Sequence, residues 1–595
     1  MRKLFALPAL LVGILCSAPS WAQSTTSIDL AGTWKFAKGD NKTWANNAFD
    51  DALWKDIRVP GSWQSQGNDA TGFAWYRKHI TLPADWGKDP VVLGEKVLRL
   101  DLGRIADAYE VFWNGKVITA GGKLPPAFAP APSDVVHAGV PADTSTFGGE
   151  NILAVRVFSN KTPASGILEG PLVLREPTFA DFITMEVAGQ GNRVEFDRKD
   201  GLPFDIIVAN NGHADWQKGT VMLSILDGGG KVITSSPIME DVSAGKQKRT
   251  SIALKEEELN PGLYTVSAEI QMNGKTLQRV SKTFVYYPAG IRSEAFHTAD
   301  QLTAFKTKLD AFWKTTIVAL KNTPIGGSSE FSQERSTDKV KVYKVTFNAL
   351  KGQTIYGWLA VPAGASKSPG VLVMPGYGNS AVEPANFLAE AGFATLSINV
   401  HGADVDAKTY ASEAEAYMKG GFADPNTFVM RGMVSAGLRA LDYLAQRPEV
   451  DAGKLGVIGM SQGGGLAADV AALDPRVKTL VASSPIADFQ RMFAQATSNP
   501  ASVILQALDA SSRAQLTNTL NYFDPVFLAD RIKVPSLITV GFVDNVVPPE
   551  TAYALKSAFE PGVYVSINAD EQSGHAVTEG QRDAAIKWLR KFLIG

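Results

Sequence analysis

The chain reads as two all-β sandwich domains followed by a doubly wound α/β domain, and three observations predict that order. From residue 28 to about 175, and again from about 180 to 288, short runs alternate apolar and polar residues between turn residues, as half-buried antiparallel strands do. From about 291 the pattern changes to continuous apolar runs separated by helical stretches, as parallel strands covered on both faces require. Within that last region, residues 454–467 (KLGVIGMSQGGGLA) pass from a buried strand, through G-x-S-x-G, into a helix-forming segment. The boundaries that follow are 1–22 for a leader, 23–179 and 180–289 for the sandwiches, and 290–595 for the α/β domain.

The leader combines Arg2 and Lys3, an apolar run over 4–18, and Ser20 and Ala22 at the positions before a cut. It has the features of a secretory signal peptide, so the chain is expected to be exported, periplasmic or secreted. No later stretch has the roughly 18 apolar residues of a spanning helix, and a soluble mature protein without an integral membrane segment is expected. The single cysteine, Cys16, lies inside the leader, and the GIL at 13–15 before it does not fit a lipoprotein site. A mature chain without a thiol has no disulfide, no cysteine nucleophile and no thiolate metal site. A formal charge of −2 and 20% charged residues give no electrostatic reason to expect a nucleic-acid partner.

In the first β domain the runs at 97–102 (VLRLDL) and 153–158 (LAVRVF) are the clearest strands. Seven tryptophans fall here: Trp34, Trp44, Trp54, Trp63, Trp75, Trp86 and Trp113. An indole serves either as core or as a platform for a sugar ring, and the sequence leaves both uses open. The strings VPGSW at 59–63, WYRK at 75–78, YEVFWNGK at 109–116 and GILEGP at 166–171 resemble the N-terminal sugar-binding jelly-roll domain of family-two glycoside hydrolases. That resemblance implies a galactose-binding-like fold without the barrel that carries those enzymes' acids.

The second β domain has strands at 204–209, 220–225 and 263–270, with turns at 210–212, 227–230 and 273–274. Its length and strand spacing suggest an immunoglobulin-like sandwich, read as a spacer because no chemical constellation stands out. Residues 288–290 (PAG) mark its end.

In the α/β domain the strand runs are 371–374, 395–400, 455–458, 479–482 and 535–540, with helices expected over 384–391, 433–446 and 580–593. Catalytic groups on such a sheet sit just past the carboxyl ends of strands. Ser461 does, and the glycines at 459 and 463 leave room for the strained turn of a nucleophile elbow. A serine hydroxyl needs a histidine to take its proton and a carboxylate to fix that histidine's tautomer. Downstream of Ser461 there is only His575, in a glycine-containing loop (QSGHA, 572–576). Asp544 follows the strand at 535–540 and is the favoured acid. Its competitors are Asp524 and Asp530, which precede that strand, and Asp570 and Glu571, which lie close to His575. An oxyanion needs two backbone donors, expected from Gln462, the residue after the nucleophile, and Tyr377, in the loop after 371–374.

With those residues placed, the blocks LDAFWK (309–314), VYKVTFNALKGQTIYGWLAVP (342–362), the Gly-Tyr pair at 376–377, GMSQGG, ALDPRVK (472–478) and Asp544 with Pro548 and Pro549 resemble the acetyl xylan esterase and cephalosporin C deacetylase family. The resemblance implies an α/β-hydrolase fold, a triad of Ser461, Asp544 and His575, and backbone donors at Tyr377 and Gln462. Two departures stand out. Pro375 replaces the histidine usual before Gly-Tyr, and His401, Gly402 and Ala403 replace the family's Arg-Gly-Gln.

The expected activity is that of a serine carboxylesterase removing small acyl groups, acetyl foremost, from an acetylated carbohydrate such as xylan or its oligosaccharides. A serine peptidase of the prolyl-oligopeptidase type shares the elbow but normally carries a propeller, of which no repeat is visible. A glycan-binding protein with an inactive hydrolase domain is the third reading. No cofactor is expected, and no metal, since the six histidines include no pair at i, i+4.

Overall fold

The computed structural model describes residues 27–595 apart from 69–70, 132–134, 161–163, 255–258, 273–274, 294, 297, 379–381, 407–420 and 496–504. The leader, Cys16, His297 and the turn at 273–274 therefore lie outside the described residues.

The first sandwich faces a six-stranded antiparallel sheet (in order Lys55–Val59, Gly32–Lys38, Thr71–Thr81, Glu150–Asn160, Ala108–Trp113, Lys116–Gly121) against a four-stranded one (Ser27–Asp29, Gly166–Arg175, Val97–Ala106, His137–Pro141). Alternation along each strand sends one set of side chains inward, and Leu98, Leu100 and Leu102 are all fully buried. The tryptophans resolve in favour of core. Trp34, Trp63, Trp75, Trp86 and Trp113 are at most 2% exposed and cannot meet a sugar ring. Trp44 and Trp54 are half-buried, pack edge-on at 5.1 Å, and cover Trp75 on the outer face of the larger sheet. Buried Arg77 fastens the segment that carries them, donating to Asp51 at 2.7 Å and to the carbonyls of Asn46 and Phe49.

The second sandwich sets a three-stranded sheet (Ile183–Gly189, Leu202–Asn210, Gln247–Leu254) on a five-stranded one (Glu195–Phe196, Lys275–Tyr286, Gly262–Met272, Trp216–Leu226, Val232–Val242). It is more than a spacer. Leu263 and Val285 are buried in the same apolar cluster as the core of the α/β domain, and Tyr553 of that domain donates its hydroxyl to Glu195 at 3.0 Å. Toward the first sandwich, buried Glu95 accepts from the backbone N–H of His213 at 2.8 Å and meets its Nδ1 at 2.9 Å.

The α/β domain is built on a nine-stranded sheet in the order Ser328–Ser332, Val340–Asn348, Thr354–Pro362, Ala394–Asn399, Ser368–Met374, Val450–Met460, Val477–Ser483, Ser536–Gly541, Val565–Asp570. The last six run parallel. Alternate residues feed two layers, which is why these strands are apolar throughout. Leu372, Leu480 and Ile538 join the core under helices Val429–Gln446 and Gln462–Leu473, while Val371, Val481 and Leu537 pack under helix Glu579–Leu593. The helix expected over 384–391 is shorter, Asn386–Glu390, because Ala385 at φ −79°, ψ 60° is not helical.

Strand order reverses between Ser368–Met374 and Val450–Met460: the chain passes from the first outward to Ala394–Asn399, then crosses back to the second. Met374 pairs with Gly459, so the two loops leaving this point start side by side. A crevice at such a reversal is where open α/β sheets place their ligands. The loops in question begin at Pro375 and Ser461.

Candidate active site

Ser461 stands directly between its strand and helix Gln462–Leu473, at φ 59° and ψ −125°. A side-chain-bearing residue rarely occupies that region, and the surroundings must hold it there. They do so through its N–H, which donates to Ser483 O at 2.8 Å, and its carbonyl, which accepts from Gly464 and Ile486 at 2.9 and 3.0 Å. The glycines are required by contact. A Cβ on Gly459 would lie 2.1 Å from Gly463 O, and one on Gly463 would lie 2.3 Å from Met374 O and 2.9 Å from the Pro375 carbonyl carbon. The second pair of distances presses the elbow against the loop that carries Tyr377. Gln462, 5% exposed, opens the helix, where a backbone N–H has no intrahelical acceptor. Tyr377 is half-buried, and burial pushes its phenol up.

Asp544 and His575 are brought together. His575 Nδ1 lies 2.7 Å from Asp544 Oδ2, with the carboxylate fully covered and the imidazole 20% exposed. Asp544 Oδ1 accepts from the N–H groups of Val546 and Val547 at 2.9 Å each. With Asp544 ionised, Nδ1 carries the proton donated to it, which leaves Nε2 as the basic nitrogen. The two loops lie against each other: Phe542 N–H donates to Asp570 O at 2.9 Å and Val543 N–H to Ser573 O at 3.2 Å. Gly541 makes this approach possible, since a Cβ there would fall 2.3 Å from Ser573 O. Gln581, 2% exposed, donates to Val540 O at 3.1 Å and ties the terminal helix to the strand that ends in the acid loop.

The competing acids are engaged elsewhere. Asp570 closes a turn by accepting from Gln572 and Ser573 N–H, Glu571 pairs with Lys282 at 3.4 Å, and Asp530 pairs with Lys306. Asp524 accepts three backbone N–H groups, those of Asp488, Phe489 and Val526. His401 follows strand Ala394–Asn399, and burial pushes it down to about 4, so its imidazole is neutral at ordinary pH. Among the described residues no three His, Cys, Asp or Glu side chains converge as metal ligands.

Asp469, on the helix after Ser461, is a feature sequence reasoning passed over. It is fully buried and, among the described residues, neither carboxylate oxygen meets a donor. Burial, then the charge of Asp524, pushes it well above the usual carboxylate range, and Asp524 itself is pushed up to about 7 by burial and by Asp488. An acid that stays protonated when folded, yet ionises near 3.8 when unfolded, supports folding fully below pH 3.8. That support is lost as pH rises toward the folded pKa. Asp469→Asn removes the loss, so the unfolding free energy of the variant minus that of wild type is expected to become more positive from pH 4 to pH 7, by at most about 1.4 kcal/mol per pH unit. A difference that stays flat across that range would contradict it.

A strained serine after a central strand, a histidine–aspartate pair past neighbouring strands and this strand order define an α/β hydrolase. Residues 294–592 match the family model Acetyl xylan esterase (AXE1), and the chain belongs to that family. Acetyl esterase Axe7A of Xylanibacter ruminicola is 32% identical over 298 residues, covering 47% of this chain and 66% of the relative. The N-terminal part has homologues among β-galactosidases and β-glucuronidases. One is Beta-galactosidase BoGH2A of Bacteroides ovatus, 24% identical over 302 residues and covered over 33% of its length. The chain thus spans just under two thirds of the first of these relatives and one third of the second. Among solved structures, the acetyl xylan esterase from Paenibacillus sp. R4 is 28% identical with a TM-score of 0.44, covering 50% of this chain and 100% of that one.

Proposed function

We propose that this chain is an exported serine esterase that removes acetyl groups from acetylated carbohydrate, xylan or related oligosaccharides among them. The observation that carries the reading is the 2.7 Å contact between Asp544 and His575, in loops bound to each other on the same strand ends as the strained Ser461. Family membership supplies the acyl group and its carrier. The leader at 1–22 supports export. Among the described residues no helix is long and apolar enough to cross a membrane.

In the reaction, Ser461 Oγ attacks the acetyl carbonyl carbon while His575 Nε2 takes its proton, and Asp544 stabilises the imidazolium that forms. The N–H groups of Gln462 and Tyr377 receive the negative charge on the carbonyl oxygen. Collapse breaks the ester bond, His575 returns the proton to the departing sugar oxygen, and acetyl remains on Ser461. Water, deprotonated by the same histidine, then frees acetate and restores the serine. Hydrolysis of an aryl acetate and acetate release from acetylated xylan, with no cleavage of an aminoacyl anilide, is the expected result. Faster cleavage of the anilide than of the ester would replace this reading by a peptidase.

A further inference from the structure

Between the second sandwich and the α/β domain lies a cleft of about 1000 Å³, at the upper end of ordinary ligand pockets. One wall is the loop over 542–549 that carries Asp544, together with Glu550. The other is the turn from Asp227 to Gly230 with Thr265 and Thr283, all from the sandwich. The cleft shares Asp544, the partner of His575, with the candidate site.

Its walls are fixed. Thr265 lies two residues from Leu263, which is buried in the shared core and lines the cleft together with Glu550. Thr265 and Thr283 are directly opposed across the ladder, so both half-buried hydroxyls stand on one face of the sheet. Asp227 Oδ1 accepts from Gly229 and Lys231 N–H, which holds the turn. Gly228 lines the cleft, is exposed, and an added Cβ there would meet nothing within 4 Å among the described residues. Arg491, the cation on this surface, already pairs with Asp488 at 3.0 Å. Paired hydroxyls, a carboxylate and bare backbone suit an uncharged polyhydroxyl chain.

We propose that this cleft holds the carbohydrate main chain on either side of the acetylated unit, which makes the second sandwich a specificity surface of the enzyme. The inference rests on the esterase reading. Its test is Thr265→Val with Thr283→Val, which removes the hydroxyls at constant shape, and separately Gly228→Trp, which fills the cleft from an unobstructed position. The ratio of kcat/KM on acetylated xylohexaose to that on an aryl acetate is expected to fall about tenfold in each, mainly through KM, with Tm within a few degrees of wild type. A ratio that stays constant, whether both substrates are unaffected or fall together, overturns the proposal. Calorimetric titration of the protein with deacetylated xylohexaose separates it from the esterase reading. Binding that Gly228→Trp abolishes supports the cleft even if no ester is cleaved, and binding that survives in both variants rejects it even if acetate is released.

Discussion

Ser461→Ala is expected to lower kcat on an aryl acetate by roughly 10⁴- to 10⁶-fold, and His575→Ala by a similar factor, because the triad acts as a unit. Combining the two should cost little more than either alone. Neither change should disturb the fold: Ser461 is held through its backbone, by Ser483, Gly464 and Ile486, and its hydroxyl carries none of that support. Asp544→Asn is expected to lose about 10⁴-fold. An amide can still accept from Val546 and Val547, but its NH₂ opposite His575 Nδ1 would demand an acceptor there and shift the imidazole proton to the nitrogen that must act as base. Steady-state rates with circular dichroism as a fold control decide the matter. Activity within about tenfold of wild type in Ser461→Ala or His575→Ala would remove these residues from the mechanism.

How much of this site could be read in advance depends on how local each constraint is. The elbow was legible because its cause is contained within a few residues: Gly459 must be bare since Gly463 O is 2.1 Å from where its Cβ would be. Asp544 and His575 are 31 positions apart, and what suggested them was chain order and a place past a strand. Their meeting depends on Gly541, whose bare α-carbon lets the histidine loop approach, and Gly541 looks in the sequence like any strand-ending glycine. The tryptophans show the opposite limit. An indole on a strand carries the same letters whether its ring faces a partner sheet or a ligand, and only the closing of two sheets over Trp34, Trp63 and Trp113 decides it. The helix expected over 384–391 starts late for a related reason: the proline at 384 suits a first helical turn, yet also ends the extended approach to one, and the helix waits until Asn386. The second sandwich was underestimated because Leu263 and Val285 alternate like any half-buried strand residues. That their outer surface is another domain's core is set by the docking of two folds, which no local period encodes.

That docking leads to the second large effect. A chain beginning at Ala289, without either sandwich, is expected to melt about 10–25 °C lower than the full chain and to lose activity on aryl acetate and on acetylated xylan in parallel. Two apolar side chains, Leu263 and Val285, leave the shared core, at about 1.5–3 kcal/mol each for the surface left exposed. Tyr553 loses Glu195 as its acceptor across the interface, and a hydrogen bond to a carboxylate contributes about 1.5–3 kcal/mol more. The sum, roughly 4.5–9 kcal/mol, is a large part of the about 5–15 kcal/mol that holds an ordinary domain folded. At about 2–4 °C per kcal/mol for a domain of this size it gives a shift of the stated order. The damage should reach the site, since Tyr553 lies on the helix Pro549–Ser557 that follows the acid loop directly. A chain beginning at Phe182 keeps every one of these contacts and removes only the first sandwich. Its melting temperature is expected to stay within a few degrees of the full chain, with aryl acetate hydrolysis retained. If instead the chain from Ala289 melts like the full protein and keeps its rate on aryl acetate, the interface contributes nothing to stability and the sandwiches serve only to engage the polymer.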